Sequence, residues 1–162
     1  MSSFELTDWE DELDLKIIAL ASHLEDYQLA YSLNKELGIL LTNRPELLTI
    51  KKNKQNFQFS IYSSKPKSDV PTVYLIDNQS VQAEQISNSG SLFNNSFLYQ
   101  QTLISTLKKW HYLVVFVDGI WTKNLLTLNQ NKNILYTQAV DIKLLTKQEQ
   151  AIITSLTYDE QH

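Results

Sequence analysis

The chain of 162 residues contains no cysteine. That excludes a disulfide framework, a thiol nucleophile and any thiolate-ligated metal site. Glycine occurs three times, too rarely for a loop that cradles phosphate with backbone amides. A single arginine, Arg44, and a formal net charge of −4 leave little with which to neutralise a nucleic-acid backbone. The lysine pairs Lys51/Lys52 and Lys108/Lys109 read as solvated strand ends. Three histidines (His23, His111 and His162) lie far apart, with no HxH or HxxxH pair to suggest zinc. The longest apolar run, YLVVFV, is far short of the about 20 residues that cross a bilayer. The stretch DWEDELD is acidic where a secretory leader is basic. These readings imply a soluble, cytoplasmic protein with no cofactor, no metal, no nucleic-acid partner and no membrane partner.

What is present suits one globular domain. Hydrophobic residues make up 43% and charged residues 20% of the chain, enough to build a core without staples. Residues 1–12 read as an acidic flexible lead-in and 13–158 as a single domain. TDWE (7–10) could open a helix as a capping box. The alternation in LDLKI and the apolar IALA that follows favour a strand over 13–20.

The segment SHLEDYQLAYSLNKELG (22–38) has the start and stop signals of a helix. Ser22 and Glu25 fit an S-x-x-E capping box, and Gly38 falls where a left-handed residue ends a helix. At 100° per residue Leu24, Tyr27, Ala30, Tyr31, Leu33 and Leu37 form one stripe, with His23 and Asn34 inside it. His23, Tyr27, Tyr31 and Asn34 could therefore line a ligand pocket. The preferred reading is structural: tyrosine rings buried, His23 tethered at the edge, and Asn34 bonded to main chain of a neighbouring strand or loop.

Strand signals follow. LLTIKK (47–52) and NFQFSIYS (56–63) suit a hairpin, with Phe57, Phe59 and Ile61 facing one way and Gln58, Ser60 and Tyr62 the other. PTVYLIDN (71–78) enters as a strand through a proline, and 79–96 reads as a long loop. WHYLVVFVDG (110–119) is continuous and β-branched, a central strand buried on both faces and ended by Gly119. Trp110 and Trp121 flank it as core edges. Residues 120–130 are helix-like, and 133–142 form another strand. TKQE (146–149) could cap a terminal helix with Ala151, Ile152 and Leu156 inward. The order implies an α+β fold, an antiparallel or mixed sheet with helices packed mainly on one face.

The run Ala21–Leu29 (ASHLEDYQL) with Leu33–Leu37 (LNKEL) resembles the start of the IPExxxVDY family of Bacteroidetes-type bacteria. Its helix carries ISSH-x-KDY-x-L and then LNK-x-L at the same spacing. The naming motif would fall at Ile104–Tyr112, where only Ile104 and Tyr112 match. Ser105, Thr106, Trp110 and His111 replace the family's Pro, Glu, Val and Asp. LTKQEQAII is faintly similar to the family's terminal LKSKENLIF. The resemblance implies a divergent member and assigns no activity, cofactor or partner.

No catalytic set is assigned. Ser22, His23 and Asp26 are close in sequence, but a helix N-terminus directs the serine hydroxyl to backbone. There is no GxSxG elbow, and Asp118 before Gly119 reads as a turn. The function expected is a non-catalytic interaction protein, self-associating through a sheet edge or an aromatic patch, as a homodimer. The alternative is a small-ligand pocket between helix 22–37 and the sheet, under the 79–96 loop.

Overall fold

The computed structural model describes residues 15–44, 48–52, 55–65, 72–83, 98–117 and 128–160. It opens with strand β1 (Leu15–Ser22), whose apolar run IIALA leaves no polar side to face water. Helix α1 (Asp26–Leu37) follows. Strands β2 (Thr42–Asn43), β3 (Leu48–Lys52), β4 (Gln55–Phe59), β5 (Ile61–Ser63), β6 (Thr72–Asp77), β7 (Gln79–Ala83) and β8 (Leu98–Thr102) come next. A 3-10 turn (Ser105–Leu107) leads into β9 (Tyr112–Val117). A helical turn at 128–130 precedes β10 (Ile134–Val140). A second 3-10 turn (Ile142–Leu144) opens into α2 (Lys147–Glu160).

Six strands form one antiparallel sheet in the order β10-β1-β9-β6-β5-β2. β3–β4 and β7–β8 are separate antiparallel pairs. The strand at 15–22 settles the early segment as strand, not helix. Residues 13 and 14, Gly119, Trp121 and the stretch 120–127 lie outside the described residues.

Two cores, one on each face of the sheet, follow from the two alternating sets of apolar side chains. Ile17, Ala19, Leu113, Val115, Tyr74 and Ile76 point to one face. There Phe57, Phe59, Leu103, Leu107, Trp110 and α2's Ile153 cover them. Ile18, Leu20, Val114, Phe116, Val73 and Leu75 point to the other, covered by Leu29, Leu33 and Leu37 of α1. The architecture is α+β and antiparallel, with the two long helices divided between the faces. β1, β9 and β6 are apolar on both sides, so a helix layer on one side alone would leave a core open to water.

Local corrections accompany this. The strand expected over 56–63 is interrupted at Ser60, yet its alternation holds, with Phe57, Phe59 and Ile61 in the first core and Tyr62 in the second. Residues 79–83, expected as loop, pair with 98–102; residues 84–97 of that region are outside the description. The Thr146–Glu149 box forms as expected, with Glu149 N–H on Thr146 Oγ1 at 3.1 Å and Thr146 N–H on Glu149 Oε1 at 3.0 Å. Ala151 is exposed, and Ile153 takes the buried position instead.

Candidate functional site

The corner before α1 carries much of the chemistry. Ser22 does not cap the helix. It is the last residue of β1, its N–H donating to His111 Nδ1 at 3.0 Å. Its hydroxyl donates to the Asn133 carbonyl at 2.7 Å and accepts from Leu24 N–H at 3.1 Å. The cap falls three residues later, on Glu25, boxed with Gln28, whose Oε1 accepts from Glu25 N–H at 3.0 Å. Strand pairing holds Ser22 extended, which moves the helix start to the next box. Gly38 ends the helix with φ 68° and ψ 36°, its N–H on the Asn34 carbonyl.

The later start goes with a different buried face. Leu29, Ala30, Leu33 and Leu37 are buried, whereas Tyr27 and Tyr31 are 61% and 65% exposed, so the expected stripe is wrong in phase. The tyrosine rings face outward, and His23 is exposed on the corner. Asn34 is half-buried and serves the chain beyond the helix. Its Oδ1 accepts from Leu41 N–H at 2.7 Å, and its Nδ2 reaches the Leu41 carbonyl at 3.5 Å.

Between α1 and the sheet the space is packed with side chains. The open groove, of about 700 Å³, runs along the outer flank of α1 instead. Leu24, Tyr27 and Tyr31 form one wall, and Lys132 and Asn133, just before β10, form the other. Lys35 Nζ stands 5.2 Å from the Tyr31 ring centre. Asn131 and Asn133 both donate to Ser32 Oγ, fixing that turn against the helix. Of the four ligand candidates the groove unites Tyr27 and Tyr31, and omits His23 and Asn34.

A second cluster lies at the α1 N-terminus. Asp77 ends β6, and its Oδ1 accepts from Gln79 N–H at 3.0 Å. Burial, with Asp26 and Glu25 adding like charge, pushes its carboxyl up to about 6. Tyr62 rises to about 12, chiefly through burial and then through Asp26. Tyr112 is raised by burial and by Asp77, and its hydroxyl donates to the Leu24 carbonyl at 2.7 Å. Among the described residues no group of three acidic or histidine side chains is arranged to hold a metal.

Two polar residues hold the crossing from β8 to β9: Asn78, which the sequence did not single out, and Glu149, singled out only as a helix cap. Asn78, fully buried, donates from Nδ2 to the carbonyls of Leu107 and Trp110, and accepts Ile104 N–H on Oδ1. Glu149 accepts from Thr106 N–H and Thr106 Oγ1. Burial opposes its charge, but these bonds and those from Thr146 outweigh it and hold the carboxyl below its usual range. A side chain that reads as a turn former in sequence gives no signal of such a non-local role. Ile104 and Tyr112 bracket this crossing and are both buried.

The third feature is a sheet edge. β2, at one side, is two residues long and exposed. β10, at the other, runs for seven residues (ILYTQAV) with neither charge nor proline. Its ladder to β1 shifts register between Ala21 and Ser22, leaving Leu135 in a bulge. Leu135 is 45% and Tyr136 69% exposed.

Comparison with family models, with curated proteins and with solved structures gives no match. Among the described residues no helix is long and apolar enough to cross a membrane.

Proposed function

We propose that the chain is a non-catalytic protein that works through protein–protein contact, self-associating as a homodimer through the β10 edge. One observation carries this reading: an uncharged seven-residue edge strand with an exposed tyrosine and leucine on it. Soluble proteins usually blunt such edges with lysine, proline or a covering segment, because unpaired amides and carbonyls template another strand. Among the described residues the bulge at Leu135 is the only such device on β10. The cysteine-free sequence supports a cytoplasmic location, and the helix motif at 21–37 supports a place at the margin of the IPExxxVDY family. Light scattering at micromolar concentration tests the reading. A mass of twice 18.8 kDa is expected, and a mass of 18.8 kDa would refute it.

The groove beside α1 favours a second reading, a small-ligand site. Two exposed aromatic rings with a lysine on either side suit a flat, anionic or polar molecule. A thermal-shift screen against a metabolite set decides it. A midpoint rise for one chemical class, lost in Tyr31→Ala, supports a ligand; no rise with any class removes this reading.

A further inference from the structure

We infer that the occupant of the β10 edge is a second copy of this chain, added antiparallel about a two-fold axis at Gln138; this rests on the self-association reading above. The bulge at Leu135 confines the regular ladder to 136–140, and Gln138 is its midpoint. Symmetric pairing there sets Tyr136 of each copy against Val140 of the other. Aromatic with β-branched is one of the favourable cross-strand pairs. Both residues share a face with Ala21 and Ile17, their partners on β1. Thr137 meets Ala139 on the opposite face, and Gln138 meets itself.

Charge selects this orientation. The strand is neutral, so pairing it with itself sets no like charges directly opposite. Lys132 precedes it, and Asp141 follows immediately, its carboxylate accepting from Lys143 N–H at 3.0 Å. Antiparallel addition lays Lys132 of one copy beside the end of the other where Asp141 and Lys143 offset each other, whereas parallel addition sets Lys132 against Lys132. In this register Asp141 is about three residues from Lys132 along the strands, roughly 10 Å or about one Debye length in 0.1 M salt, so no ion pair forms across the seam. An isologous contact uses the same patch twice, which a neutral, self-complementary strand permits. The result joins two six-stranded sheets into one continuous sheet.

Because the chain has no cysteine, Gln138→Cys introduces its sole thiol. Directly opposed Cβ atoms in an antiparallel pair are about 4.5–5.5 Å apart, and a small shift brings them within disulfide reach. Mild oxidation should convert Q138C to a covalent dimer much faster than Leu144→Cys, whose residue is exposed but lies past the strand. Ala139→Lys, at an exposed edge position, should yield a monomer by light scattering that still unfolds cooperatively, with a midpoint lowered by the lost association and no longer dependent on protein concentration. Cross-linking of Q138C no faster than the control, or an intact dimer in A139K, overturns the β10 pairing while leaving self-association through another surface. A wild-type monomer overturns both.

Discussion

Asp77 stands directly opposite Tyr112 across the β6–β9 ladder, with the α1 N-terminus and its two acids beside them. Its carboxyl titrates near 6 when folded and near 3.8 when unfolded, so the folded state binds the proton more tightly. Stability from this group is therefore complete below about pH 4 and declines as pH rises to about 6. Two units correspond to at most about 3 kcal/mol. Asp77→Asn keeps an acceptor for Gln79 and removes the charge. It should raise the melting temperature at pH 7.5 and leave it unchanged at pH 4. Equal melting shifts at both pH values would show that the charge is not the cause.

Asn78→Ala should be among the most damaging single changes. It removes the acceptor for Ile104 N–H and the donor to two carbonyls in a site with no solvent access. Each buried group left unpaired costs about 1–3 kcal/mol. Urea denaturation should show a loss of several kcal/mol or no folded state; a loss below about 1 kcal/mol would mean that water replaces the amide.

Asn34→Ala should cost about 1–2 kcal/mol, since Leu41 N–H loses its acceptor at a half-buried position. Asn34→Asp should cost less, because the acceptor survives and only the weaker 3.5 Å bond is lost. Thermal melts of the pair check the order, and a reversed order would point to the donor as the important group.

Glu149 and Thr106 should be energetically coupled. In a double-mutant cycle with Glu149→Ala and Thr106→Ala, the interaction energy should be about 1–3 kcal/mol, as expected for the hydroxyl bond to a charged acceptor, since the Thr106 backbone N–H survives the substitution. Glu149 is held below its usual range, so its contribution is present above the ordinary carboxylate pKa and lost as pH falls below it. Purely additive single effects would place the two residues in separate local roles.

What the sequence made legible was local chemistry. The Gly38 stop, the Thr146–Glu149 box and the continuous YLVVFV strand each need only neighbouring residues, and each is found where expected. The phase of α1 was misread because Tyr27 and Tyr31 were weighted as apolar. Leu29 falls about 200° from Tyr27, and the deeper side chain decides which side packs. The β7–β8 pair was invisible for a different reason. Gln79–Ala83 and Leu98–Thr102 are mostly polar, so no hydrophobic alternation announces a pairing made across the intervening residues. Nor could spacing reveal that Tyr27 and Tyr31 share a groove with Lys132, about a hundred positions away in the chain.

The position of β1 sets a timetable for making the protein. Among the described strands it is the first to leave the ribosome, yet its two neighbours in the sheet, β9 and β10, are the last. Until residue 140 has been synthesised, the backbone of Leu15–Ser22 lacks one side of its ladder, and until 117 it lacks both. The contacts that close the sheet are thus among the most distant in sequence, the kind that form slowly. A nascent chain must shield an apolar strand throughout its own translation, and a chain truncated after β9 would carry IIALA at an open edge. The same late arrival makes β10 the last of the described strands to become available, so any partner for its outer side can add only once the rest of the six-stranded sheet has been synthesised.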